Sequence, residues 1–328
     1  MIATAPGKLI LTGEYAVLDG APAMVVAVDR RVVARTITPG SPHGTQRQSS
    51  PFLLAVIAEL AARRGADDPA TRAAAEITVD STAFYTGPAK LGLGSSAAVT
   101  VAATALALAL ADGRTSDSLE RDEVLAIALA AHAAAQGPRG SRGSGADITA
   151  AVTGGTLVFA GEHGRTERRA WPEAIRLLAF FTGASADTAQ LVARVASARA
   201  ANRSSVDAAL VAIGEASRVA CAALAAPREL VGAVLIGAFA LASHATDRLA
   251  AATGVDLVPA CVTAARSAMQ RLGGTAKTTG AGGGDVAIAV IPATVDVTIA
   301  TRSLIECGCQ PISLAVDASG VDLRVTAS

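Results

Sequence analysis

The residues best placed to do chemistry are two serines directly behind two glycines, in Lys90-Leu91-Gly92-Leu93-Gly94-Ser95-Ser96-Ala97-Ala98, at the head of an apolar, alanine-rich run over 99–111. Glycines let the backbone approach a bulky anion. The serines bring hydroxyls to the start of a helical pattern, where backbone N–H groups lack intrahelical partners and the helix dipole favours negative charge. Gly92, Leu93, Gly94, Ser95, Ser96 and Ala97 are therefore candidates for a phosphate cradle. A serine-capped helix behind a glycine turn would look the same if the stretch stood alone.

A second observation comes from composition. Of the 28 lysines and arginines only Lys8, Lys90 and Lys277 are lysine, and each lies in or beside a glycine-rich cluster. A compact ammonium reaches a phosphate as a point charge where the planar guanidinium fork does not fit. All three lysines are thus expected near phosphate.

Asp147 is the candidate general acid or base, because it follows the open Gly143-Ser144-Gly145-Ala146 loop and begins a short helical stretch; a carboxylate serving its own helix N-terminus is the plainer alternative. Glu14 reads as a buried polar group or a partner of Lys8. His43, His132, His163 and His244 form no constellation in the sequence and are expected at the surface or at caps. Gly92 to Ala97 also satisfies G-x-G-x-x-A, but no strand leads directly into it and Asp112 merely ends the helix, which disfavours a dinucleotide fold. The P-loop pattern is absent.

The elements that must position these groups follow from periodicity. Strands are expected over 2–12, 24–28, 31–37, 75–80, 156–159, 177–181, 286–291 and 312–316. Helices are expected over 52–64, 99–111, 121–136, 148–153, 189–199, 206–225, 230–251, 257–272 and 292–307. Polar loops are expected over 38–51 and 139–145, the latter carrying Arg139 and Arg142. A length of 328 residues favours two domains, and the charged interval 161–169 marks the boundary, giving 1–168 and 169–328. Two glycine clusters in different halves place a polyanionic ligand between them.

The formal charge of zero gives no basic footprint for nucleic acid. The apolar runs read as too short for a membrane span. Cys221, Cys261, Cys307 and Cys309 show neither zinc spacing nor a disulfide framework, so reduced thiols and a cytoplasmic location are expected, with oligomeric state open.

Together, Pro6-Gly7-Lys8, the cluster from Gly92 to Ala98 and Gly280-Ala281-Gly282-Gly283-Gly284 resemble the GHMP small-molecule kinases across nearly the whole chain. Within that family, Gly7-Lys8-Leu9, Gly13-Glu14-Tyr15-Ala16-Val17-Leu18, Gly143-Ser144-Gly145-Ala146-Asp147 and Gly282-Gly283-Gly284-Asp285 look most like the phosphomevalonate kinases; mevalonate kinases more often carry histidine where Tyr15 stands. The resemblance implies an α+β, two-domain fold: an N-terminal domain with a left-handed βαβ crossover, and a C-terminal ferredoxin-like domain. It implies ATP and Mg2+ as cofactors, with Gly92, Leu93, Gly94, Ser95, Ser96 and Ala97 around the phosphates, and Ser96 on the metal. Asp147, Lys8 and Lys90 would be catalytic. Tyr15, Lys90, Ser144, Asp147, Thr279, Gly280 and Gly282 would surround the acceptor.

The implied acceptor is 5-phosphomevalonate, converted to its diphosphate on the mevalonate route to isoprenoids. Mevalonate, another small alcohol, or a catalytically silent binding role remain alternatives. One departure bears on the acceptor: Asp187 stands where the phosphomevalonate kinases usually have serine, and a carboxylate there would repel a phosphorylated substrate unless it points away or meets an arginine.

Overall fold

Strand β1 (Ile2–Thr12) and strand β2 (Pro22–Thr36) form the longest pair in the molecule, and nearly every residue of β1 is at least partly buried because helices cover one face while the second half of the chain meets its end. A computed structural model describes residues 1–37, 50–137, 143–160 and 166–325; His43, Arg139, Arg142 and His163 lie outside the described residues. The first sheet is antiparallel, in the order β12 (Asp322–Arg324), β1, β2, β6 (Thr156–Ala160), β7 (Thr166–Arg169), with β3 (Ile77–Asp80) also on β2. The chain therefore returns at its far end to complete the sheet with which it began.

The two short strands expected over 24–28 and 31–37 are one strand. Pro6 pairs with Arg31 and Gly7 with Val28, so Asp29 and Arg30 bulge out of an otherwise continuous ladder. The polar pair that reads as a turn is the bulge.

Helices α1 (Pro51–Arg64), α2 (Pro69–Ala75), α3 (Ser95–Asp112), α4 (Arg121–Gln136) and α5 (Ala146–Thr153) accompany this sheet. A small hairpin of β4 (Tyr85–Thr86) and β5 (Ala89–Lys90) precedes α3. Every residue of α3 from Ala97 to Ala109 is buried, and its alanines let β1, β2, α2, α4 and α5 all approach closely. Thr100 and Thr104 are tolerated there because each hydroxyl donates to the carbonyl four residues earlier, at 2.9 and 2.8 Å. Alternation over 75–80 hides the short helix α2, whose cap Asp68 accepts from the Ala70 N–H at 2.8 Å.

The second sheet is antiparallel in the order β11 (Gln310–Ile312), β8 (Ile175–Phe181), β10 (Val286–Pro292), β9 (Thr275–Thr278). With helices α6 (Thr188–Ala201), α7 (Arg203–Ala223), α8 (Arg228–Thr253) and α9 (Ala260–Arg271) between β8 and β9, and α10 (Val297–Glu306) between β10 and β11, this is the ferredoxin-like arrangement. The last strand runs over Gln310–Ile312 rather than 312–316, and α10 begins only at Val297, where Asp296 caps it. β9 emerges from a stretch that reads as part of the glycine cluster. Helices α3 and α8 are, against the expectation, long and apolar enough to cross a membrane; α3 is a core helix of the fold.

Candidate active site

The head of α3 is built without a cap. Its N-cap position is Gly94, in the left-handed region at φ 77°, and no side chain closes the helix end. The first helical hydrogen bond runs from the Ala98 N–H to the Gly94 carbonyl at 3.2 Å. The N–H groups of Ser95, Ser96 and Ala97 therefore have no partner inside the helix. The approach is pinned to β1 by the Lys8 N–H, which donates to the Leu93 carbonyl at 2.8 Å.

Neither glycine tolerates a side chain. At Gly94 an added Cβ would lie 2.9 Å from Lys8 Cε, and at Gly92, also left-handed, it would lie 2.3 Å from Asp285 Oδ2. These close approaches locate the neighbouring groups: the Lys8 stem crosses the head of α3, and the Asp285 carboxylate faces the cradle from the second half of the chain.

Asp147 arrives from another direction. It lies in the first turn of α5, which also starts on a left-handed glycine, Gly145, with no side-chain cap. Asp147 Oδ1 accepts from the Ile148 N–H at 2.9 Å, and Ser144 Oγ accepts from the Ala146 N–H at 3.3 Å just upstream. Its Oδ2 lies 3.9 Å from His132 Nε2.

The electrostatics tie these residues into one group. Burial pulls the Lys8 ammonium below its ordinary value; the Asp147 and Asp285 carboxylates oppose that, and the Lys90 charge adds to it. Burial raises Asp285, against the Ala186 N–H, Lys8 and Lys90. Lys8, whose stem packs on Gly94, thus lies within electrostatic reach of two carboxylates and a second cation beside an uncapped helix end. Lys90 itself is exposed and makes no ion pair among the described residues.

The second half of the chain closes the site through Asp285, a non-glycine residue at φ 57°. Its Oδ1 accepts from the Ala186 N–H at 3.1 Å, and its backbone bonds Ala184 and Thr182. Nearby, Ser185 Oγ donates to the Lys90 carbonyl at 3.0 Å. Tyr15 donates its hydroxyl to the Ala281 carbonyl at 2.7 Å, and the Gly280 N–H donates to the Ile10 carbonyl at 3.3 Å. Thr279 Oγ1 donates to the Val286 carbonyl at 2.6 Å, and an added Cβ at Gly282 would meet the Leu257 carbonyl at 2.5 Å. Thr279 and Gly282 are thus committed to shaping the loop that faces β1.

Two expectations need correction. Lys277 does not face a phosphate: it is 1% exposed on β9, where it pairs with Glu14 and donates to the Leu11 and Thr278 carbonyls at 2.8 and 2.7 Å. Strand geometry turns its side chain into the joint between the two sheets. Glu14 is the buried polar group of the two alternatives, and it partners Lys277 rather than Lys8; burial pushes its carboxyl up and Lys277 opposes that. His132 is neither at the surface nor at a cap: it is 4% exposed on α4, with its ring stacked on Phe52, and Nε2 lies 3.3 Å from Ser96 Oγ.

Asp187, by contrast, caps α6: its Oδ1 accepts from the Gln190 N–H at 3.1 Å. Its carboxylate is held by its own helix.

Residues 52–155, which carry the cradle, His132 and Asp147, match the family model described as "GHMP kinases N terminal domain". Over that segment the chain is similar to the GHMP kinases. The family's two-domain α+β fold accounts for both sheets. Among relatives of this chain, a mevalonate kinase of Aeropyrum pernix is 29% identical over 60% of the chain, a match that spans only 61% of that protein. A phosphomevalonate kinase of a Streptomyces species is 26% identical over 97% of both chains. Among solved structures, the Streptococcus pneumoniae phosphomevalonate kinase in complex with phosphomevalonate and AMPPNP superposes with a TM-score of 0.73 at 18% identity, covering 96% of this chain and 99% of that one.

Proposed function

We propose that this chain transfers the γ-phosphoryl group of ATP to 5-phosphomevalonate, giving the diphosphate. The observation that carries the reading is the open N-terminus of α3 with Lys8, Lys90, Asp147 and Asp285 gathered around it from four separate segments. Phosphoryl transfer asks little covalent chemistry of a protein. It asks for donors on phosphate oxygens, cations to balance developing charge and a base to orient the acceptor hydroxyl.

The donor set fits those parts. The N–H groups at the head of α3, with Gly92 and Gly94 admitting close approach, suit the ATP phosphates. Lys8, whose stem packs against Gly94, suits charge near the transferred group. Asp147 would accept the acceptor proton, with Oδ1 anchored on its own helix and Oδ2 left for substrate. Among the described residues no cluster of three or more His, Cys, Asp or Glu side chains could hold a metal by itself. The oxygen donors present, Ser96 and Asp147, suit Mg2+ shared with nucleotide phosphates and water. When bound, that ion would neutralise phosphate charge. Ser144, Tyr15, Thr279, Gly280 and Gly282 would shape the acceptor side.

Support for a phosphorylated acceptor is the exposed Lys90 ammonium without an ion-pair partner, together with the relative aligned over 97% of both chains. A second reading, mevalonate as acceptor, is favoured by the 29% identical relative. An ADP-release assay with purified protein, MgATP and each acceptor separates the two. Faster release with 5-phosphomevalonate supports the first reading, turnover of mevalonate alone the second, and release with neither overturns both.

A further inference from the structure

The buried face of α4 is formed by Val124, Ile127, Ala128, Ala131 and His132. Four of these five make a conventional apolar stripe. A polar ring buried in such a stripe is costly unless its nitrogens are bonded, so an aliphatic side chain would be the more stable choice at position 132. What the imidazole touches explains its presence. Its face lies on Phe52 with ring centroids 5.2 Å apart and planes at 22°. Its Nε2 lies 3.3 Å from Ser96 Oγ, 3.4 Å from the Gln136 amide and 3.9 Å from Asp147 Oδ2. One nitrogen thus stands at the meeting point of the nucleotide-side hydroxyl and the acceptor-side carboxylate.

We infer that His132 is a positioning residue, which holds the Ser96 hydroxyl toward the cradle and sets its place relative to Asp147. A serine in the first turn of a helix has other hydroxyl orientations open to it, including bonds to its own backbone. The stacked ring removes that freedom, since α4 and Phe52 fix the imidazole before any ligand arrives. Asp147 Oδ2, beyond direct hydrogen-bond range, feels the ring as a neighbouring dipole and wall. The inference rests on the phosphotransfer reading above for the roles of Ser96 and Asp147.

The test uses the full chain and calorimetric binding of AMPPNP with and without Mg2+, alongside turnover with the acceptor that the protein accepts. His132→Phe keeps a flat ring against Phe52 and deletes Nε2. It is expected to weaken AMPPNP binding in the presence of Mg2+ about tenfold, to leave metal-free binding within about twofold, and to lower kcat about 10–100-fold with little change in the acceptor KM. His132→Gln, which returns an amide atom to the Nε2 position, is expected to recover most of the loss. His132→Asn, whose amide falls short of that position, is expected to behave like His132→Phe and replaces it if the phenylalanine variant does not fold.

Combined with Ser96→Ala, the loss should be no greater than that of the worse single variant, because both remove the same arrangement. Wild-type binding and turnover in both His132→Phe and His132→Asn would overturn the inference. So would losses that multiply in the double variant. If no acceptor is turned over at all, the functional reading fails on its own, and the Mg2+-dependent binding difference still decides the role of His132.

Discussion

Helix ends in this molecule are finished in contrasting ways. At α2, α6 and α10 an aspartate caps the first turn: Asp68, Asp187 and Asp296 each accept from a backbone N–H of their own helix. At α3 and α5, alone among the described helices, the N-cap position is a left-handed glycine; at α5 Ser144 and Asp147 take the Ala146 and Ile148 N–H groups, whereas at α3 no described side chain bonds the helix end. A capping carboxylate stabilises a helix by about 1 kcal/mol. At the head of α3 that stability is forgone, and the N–H groups of Ser95, Ser96 and Ala97 stay free for something that is not protein. Helices α1, α4, α7, α8 and α9 also start without a side-chain cap, so it is the left-handed glycine, with Lys8 packed on it and Asp285 against Gly92, that singles out the head of α3 as the place to look for a ligand.

The contrast can be broken most severely at α5. Asp147→Asn should fold, with an unchanged melting temperature, and lose about two to four orders of magnitude in turnover. Turnover near wild type in an ADP-release assay would remove Asp147 from the chemistry and reduce α5 to an ordinary helix.

The next largest effect tests the lysine that sits away from the open ends. Lys277→Met leaves Glu14 as an uncompensated buried charge and should cost about 3–5 kcal/mol of stability in chemical denaturation. Because Glu14 Oε2 has no hydrogen-bond partner among the described residues, replacing both, as Glu14→Gln with Lys277→Met, should recover part of the loss. A Lys277 variant of wild-type stability with impaired nucleotide binding would instead return this lysine to the phosphate site.

A smaller effect sharpens the open end of α3. Lys8→Arg conserves charge but must fit a branched guanidinium where the stem packs on Gly94, so kcat should fall about tenfold or more. Lys90→Arg, at an exposed position, should mainly raise the KM of a phosphate-bearing ligand, and by less. Steady-state kinetics with ATP and each acceptor checks the order.

The smallest effect belongs to a capped end. Asp187→Ala should destabilise by about 1 kcal/mol and leave the preference between mevalonate and 5-phosphomevalonate unchanged. A reversed preference in a competition assay would mean that this carboxylate reaches the acceptor.

How far the sequence announced this arrangement depends on how local each feature is. The cradle was legible because glycine, glycine, serine, serine and the helix behind them are contiguous, and a helix head is set by its own residues. Asp147 was legible for the same reason. Lys277 was not: the glycines beside it in sequence suggested a phosphate, whereas the β9 pairing with β10 turned its side chain into the joint with Glu14. Nor was His132, one histidine in an alanine-rich helix, whose meeting with Ser96 and Asp147 exists only once α3, α4 and α5 pack together. Asp285 acquires its place facing Gly92 from a left-handed backbone at the head of β10, a conformation that sequence pattern does not announce.

Whether the uncapped head of α3 seats the nucleotide phosphates is decided by backbone amide NMR of the isotope-labelled protein titrated with AMPPNP and Mg2+. The largest shifts are expected at the amides of Gly92, Gly94, Ser95, Ser96 and Ala97, with smaller ones at the head of α5 and little change at the capped starts of α2 and α10. Saturable binding that leaves the amides at the head of α3 unmoved would contradict that seating.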